Sequence, residues 1–154
     1  RDYYASRGLG DVYKRQQLKQ LGEMLKNKFA HNIAATAQIE ADTVQTDHSV
    51  EFLTDGDNGT YWLASEDSAS AVITLRFPEL KNISAVVLGE YLPLGQHIEQ
   101  GEILAGKNKI ADFTVVGHKR ICMFDPVQTE ELIIKITSSR TEAALRLLEV
   151  YQES

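Results

Sequence analysis

The sequence predicts a mainly β fold, a sandwich or barrel of short strands preceded by one amphipathic α-helix. Three observations carry that prediction. Short β-rich runs follow one another from Gln38 onward, separated by turn residues. Helical periodicity is nearly absent from the same stretch. The three prolines, Pro78, Pro93 and Pro126, fall at run ends or between runs, where a sheet tolerates a missing N–H.

The helix is expected over residues 17–34. Leu18, Leu21, Met24, Leu25, Phe29 and Ile33 recur there at helical spacing, with lysines and Glu23 on the other face. Gly22 weakens it by about 1 kcal/mol relative to alanine. Its apolar stripe needs a partner, in this domain or upstream of it. Residues 70–77 (SAVITLRF) then alternate, with Val72, Thr74 and Arg76 on one side and Ile73, Leu75 and Phe77 on the other. Residues 83–92 (ISAVVLGEYL) begin as a nearly continuous apolar run. Residues 118–124, 131–138 and 144–151 complete the set of strands. Residues 1–16 show no period and no apolar face. Their segment DVYKRQ resembles a translated sequencing adapter of the kind that contaminates metagenomic assemblies. Residues 1–16 are therefore expected to be a non-native or disordered leader, with native sequence beginning near Gln16 or Gln17.

Length and composition bound the function. The chain has 154 residues, room for one ordinary domain plus a short appendage. It is 43% hydrophobic, with a formal net charge of -6 and no basic patch. Nucleic acid and anionic membranes are therefore not expected as partners. The apolar runs are too short to span a bilayer. The single cysteine, Cys122, excludes an internal disulfide and is compatible with cytoplasm or a bacterial envelope alike. Set among Ile121, Met123 and Phe124, it reads as a buried structural thiol.

One loop carries candidate metal chemistry. Residues 52–67 read FLTDGDNGTYWLASED. Asp55, Asp57 and Glu66 fall at the first, third and twelfth positions of a calcium hand. Thr60 stands where that hand needs glycine, however, and no helices flank the loop. A hand is excluded. Two local readings stay open: a looser site built from Asp55, Asp57 and Thr60, or a tight turn held by local hydrogen bonds ahead of a core Trp62. The four histidines, His31, His48, His97 and His118, form no metal-ligand pair, and no nucleophile or phosphate-loop motif is present.

Three stretches together resemble a known family. LKQLGEMLKNKFAHNIAATA (18–37) is similar to the segment that closes the catalytic domain of α-L-fucosidases. LTDGDNGTYW (53–62) resembles the Asp-Gly-x-x-x-Thr-x-Trp signature of discoidin-like modules, the coagulation factor 5/8 type C class. LGEYLPLGQHI (88–98) resembles the Glu-Tyr-Ile-x-Leu-Gly-Gln-Arg motif of the discoidin-like domain in those same fucosidases. TVVGHKRICMF and KITSSRTEAALRLLEVY continue the match to the end of the chain.

The resemblance implies a division into residues 17–37, the closing helix and connector of a catalytic barrel, and residues 38–154, a discoidin-like, galactose-binding-like jelly-roll β-sandwich of about eight strands. It implies a parent glycoside hydrolase that removes terminal α-L-fucose with retention, using two carboxyl groups of the upstream barrel. No catalytic residue is then expected in this chain. The module would buttress the barrel, its partner in the same parent chain, or bind glycans. A stand-alone carbohydrate-binding or adhesion module is the alternative. A secreted or periplasmic location goes with the family. The resemblance also implies one structural calcium ion, held by Asp55, Asp57, Thr60 and Glu149 with backbone carbonyls near Phe52. Two departures stand out. His97 replaces the family's arginine, and residues 99–113 form a shortened hairpin without the usual tryptophan.

Overall fold

The computed structural model describes residues 32–55, 59–66 and 68–152. The leader at 1–16 and most of the expected helix lie outside these residues. The helix does not extend to Ala34 as expected. Asn32 already sits in an antiparallel bridge to Tyr151, and Ala34–Thr36 form a 3-10 turn. The reason is local. The Asn32 side-chain oxygen accepts from the N–H groups of Ala34 (3.1 Å) and Val150 (3.0 Å), which ties the connector to the last strand.

Seven strands follow: β1 (Gln38–Ala41), β2 (Trp62–Leu63), β3 (Ala71–Glu90), β4 (Ile98–Ala105), β5 (Asn108–Phe113), β6 (Arg120–Ser139) and β7 (Ala144–Gln152). All pairings are antiparallel, in the order β2-β7-β3-β6-β4-β5, with β1 added on β3. The 20-residue strands β3 and β6 organise the rest. Residues 71–76 of β3 pair with residues 131–136 of β6, and residues 81–88 then pair with residues 120–129. The first stretch belongs to a layer completed by β1, β4 and β5. The second belongs to a layer completed by β7 and β2. One apolar cluster joins both: Ile73, Leu75 and Ile134 from the first layer, Val86, Leu88 and Val150 from the second. This is the expected mainly β, discoidin-like sandwich.

The sequence runs at 70–77 and 83–92 are one strand, as are those at 118–124 and 131–138. Pro78 and Pro126 mark bends inside these strands rather than gaps between them. Pro78 lies in the register shift between Arg76 and Lys81, and Pro126 lies opposite the shift between Ile83 and Ala85. A strand that loses register bends and twists, and there proline's missing N–H removes no ladder bond. The expected alternation at 71–77 is present, with Ile73, Leu75 and Phe77 buried.

Trp62 is fully buried, and its indole N–H donates to the Thr43 carbonyl at 3.0 Å, so its polar atom is satisfied. Cys122 is buried, and burial pushes its thiol pKa up, as a structural thiol requires. Residues 99–113, expected as a shortened hairpin, lie in the hairpin β4–β5. Gly101 faces Phe113 across it, and a Cβ at Gly101 would stand 2.2 Å from the Phe113 ring. The missing side chain lets that ring fill the end of the core, where a full burial contributes about 2–3 kcal/mol.

Candidate functional site

The motif LGEYLPLGQHI closes on a single buried carboxylate. Glu90 ends β3 and is 1% exposed. Its Oε2 accepts from the backbone N–H of His97 (2.9 Å) and, more distantly, of Ile98 (3.5 Å). Its Oε1 accepts from the N–H of Gly117 (3.0 Å). The backbone N–H of Glu90 in turn donates to the Gly117 carbonyl (2.8 Å). One side chain thus fastens two loops to the end of β3. Charge-assisted bonds of this kind are about twice as strong as neutral ones.

The loop between β3 and β4 is shaped to reach that carboxylate. Leu92–Leu94 form a 3-10 turn with Pro93 in its first turn. Gly95 reverses the chain at φ +102°, a conformation that side chains disfavour. His97 then lies with Nδ1 2.9 Å from the Glu142 carbonyl oxygen. A carbonyl only accepts, so Nδ1 carries the proton. An arginine at this position would bring a two-pronged donor, whereas histidine supplies a single bond to backbone. The His97 carbonyl accepts from the Arg140 N–H (2.9 Å), which draws in the β6–β7 turn.

Beside this cluster three rings stack. His48 lies on Tyr61 with centroids 4.2 Å apart, and Tyr61 lies on Tyr91 at 3.8 Å and 11°. All three are half-buried. They sit at the end of the sandwich where β7 begins, since the Tyr91 N–H donates to Ala144. The chain enters at the opposite end, where Asn32 meets Tyr151. The stack and the Glu90 clasp both escape a reading of the sequence. Their members come from separate loops, and although all but His48 lie in a quoted stretch, nothing local to those stretches brings them together.

The predicted metal ligands divide. Asp55 and Thr60 meet, the Thr60 hydroxyl donating to Asp55 Oδ2 at 2.5 Å. Asp57 lies outside the described residues. Glu149 lies in the middle of β7 opposite Val87, where its carboxylate accepts from the Tyr151 hydroxyl. β2, which follows Thr60 and Tyr61, pairs with the start of β7 at Ala144 and Leu145, four residues before Glu149. Among the described residues, however, no three His, Cys, Asp or Glu side chains converge as a metal-ligand group. The residues present thus fit a calcium ion in part.

No family model matches the chain. Among curated proteins, α-L-fucosidase 1 of Arabidopsis thaliana is 25% identical over 148 residues, covering 88% of this chain and 29% of its own length. The chain spans about three tenths of the curated relatives it matches, and the matched part is their C-terminal region. Among solved structures, a Ruminococcus gnavus GH29 fucosidase in complex with fucose superposes with a TM-score of 0.77. It is 18% identical and covers 90% of this chain and 30% of its own. The family 32 CBM of NanJ from C. perfringens, in complex with galactose, superposes at 0.69 with 18% identity, covering 78% of this chain and 97% of its own. The similarity expected from the motifs is therefore present in sequence and in fold.

Two predictions follow from the geometry. Glu90→Ala leaves the N–H groups of His97, Ile98 and Gly117, buried or partly buried, without their acceptor and is expected to destabilise the protein by roughly 3 kcal/mol. Glu90→Gln keeps one acceptor oxygen and is expected to cost about half as much, read by urea denaturation. The Tyr151 hydroxyl is pushed up from its ordinary value of 10 to about 12, first by burial and then by the Glu149 charge and hydrogen bond. The folded state therefore holds its proton longer than the unfolded chain. That contribution is complete below pH 10 and is lost as pH rises toward 12. Glu149→Gln is expected to lower the Tyr151 pKa without restoring the ordinary value, because burial remains. Ultraviolet titration of the phenolates measures it.

Proposed function

We propose that this chain is the C-terminal accessory module of an α-L-fucosidase, a retaining glycoside hydrolase of secreted or periplasmic location. The observation that carries this reading is the match of 88% of the chain to the C-terminal region of a curated α-L-fucosidase. The module contributes no catalytic group. It buttresses the catalytic barrel, whose connector the Asn32 clasp fixes to β7. A fucosidase built from this chain and the domain encoded before it is expected to release fucose from an aryl α-L-fucoside, while the 154-residue chain alone is inert. An upstream reading frame without a glycosidase domain would defeat the proposal.

A second role rests on the stack of His48, Tyr61 and Tyr91. Aromatic faces with polar edges suit the apolar faces of sugar rings. The galactose complex of the structurally similar CBM favours this reading. Binding to a glycan array that Tyr91→Ala abolishes would support it, whereas an array without signal would leave the buttress role alone.

The calcium reading is a third part of the proposal: Asp55, Asp57, Thr60 and Glu149 hold one structural ion. Calcium added to chelator-stripped protein is expected to raise Tm, and Asp55→Ala to remove the rise. An unchanged Tm would leave Asp55 and Thr60 as a turn clasp.

A further inference from the structure

The end of the sandwich that carries the aromatic stack also carries a positioned cation. Trp62 of β2 and Leu145 of β7 are cross-strand partners, and both are fully buried in the core. Side chains alternate along a strand, so their neighbours Tyr61 and Arg146 turn to the outer face. The same register carried one residue further sets Tyr61 opposite Arg146. On the other side of β7 lies β3. Gly89 pairs there with Leu147, and Glu90 with Leu145, so Arg146 is the extra residue of a bulge. Its guanidinium spreads over Gly89. A Cβ at Gly89 would stand 3.2 Å from Arg146 Nη2 and 2.9 Å from the His118 carbonyl oxygen. Nη2 donates to that carbonyl at 2.7 Å and lies 3.4 Å from His118 Nδ1. Arg146 is thus held between the strand that Tyr61 leads into and the strand that leads to Tyr91.

We propose that the sugar taken at the stack is an acidic one, a sialic or uronic acid whose ring lies on Tyr91 and whose carboxylate is received by Arg146. The inference rests on the sugar-binding reading of the stack given above. Geometry selects the ring. Tyr61 is covered on both faces, by His48 at 4.2 Å and by Tyr91 at 3.8 Å, so a sugar can lie only against an outer member. Of the two, Tyr91 stands two residues beyond Gly89, over which the guanidinium lies. Chemistry selects the substituent. A guanidinium is a planar fork of donors that matches a carboxylate with two parallel bonds. Its bonds to His118 go to neutral acceptors, which orient the fork and leave its charge in place. Lys119, the residue after His118, is exposed and adds a second positive charge. The carboxylates nearest along the chain are engaged locally: Glu142 accepts from the Thr141 hydroxyl and Glu149 from that of Tyr151. Two cations beside an aromatic platform, in a chain of formal net charge -6, suit an anionic ligand.

Calorimetric titration of the 154-residue chain tests this with matched sugars: sialyllactose against lactose, and methyl galacturonate against methyl galactoside. At least one acidic sugar is expected to bind about tenfold more tightly than its neutral partner. That preference is expected to shrink as sodium chloride rises from about 20 mM to about 200 mM, a measurement that needs no variant. Arg146→Gln, with its melting checked against the parent chain, is expected to abolish the preference while neutral sugars still bind. Equal affinity for acidic and neutral sugars would overturn the proposal and leave the stack as a neutral-sugar site. A preference that survives Arg146→Gln, or that ignores salt, would overturn Arg146 as its source. Tighter binding of sulfated lactose than of sialyllactose would assign the fork to a sulfate and overturn the carboxylate. No binding of any sugar would remove the sugar-binding reading itself, and this inference with it.

Discussion

The end of the sandwich depends on how one buried carboxylate is satisfied. A carboxylate taken out of water costs several kcal/mol unless hydrogen bonds replace its hydration. Glu90 recovers that cost from backbone N–H groups of two loops, and this requirement dictates their course. The 3-10 turn at Leu92–Leu94, the reversal at Gly95 and the approach of Gly117 are the path that brings those N–H groups to one point. The aromatic stack then stands on a fixed base, because Tyr91 directly follows Glu90 in the chain.

What the sequence reveals and what it hides follow from the range of each interaction. The alternation at 71–77 was legible because burial in a strand has a period of two, and Ile73, Leu75 and Phe77 are where the period puts them. The number of strands was not. A proline between two apolar runs looks alike whether the chain turns there or only bends, and Pro78 and Pro126 bend it. The hairpin at 99–113 was reached only through the family resemblance, and its part in the core was not legible at all. The match of Gly101 to the Phe113 ring is a fact about two strands, not about either alone.

The site shows the same boundary. Asp55 and Thr60 are five residues apart, and their bond could be anticipated locally. Glu149 was joined to them only through a family resemblance, and in the fold its described partner is Tyr151. The stack of His48, Tyr61 and Tyr91 has no local signal, since each ring sits in a different loop. Glu90 was hidden for another reason. A glutamate ending an apolar run normally reads as the first solvent-facing residue, and only the close approach of Gly117 makes it an interior one.

The passage of β3 and β6 through both layers has a consequence for how the protein is assembled. The two strands form one long hairpin-like ribbon, closed near Leu88 and Arg120 and open near Ala71 and Ile136. A ribbon of this kind zips from its closed end, and its far end joins residues widely separated along the chain. Such contacts slow folding, because loop closure precedes their reward. Both layers are built on the same two strands, so disorder in one disturbs the frame of the other. A protease cut between β3 and β6 would therefore not release half a sandwich, because each product keeps a strand that runs through both layers.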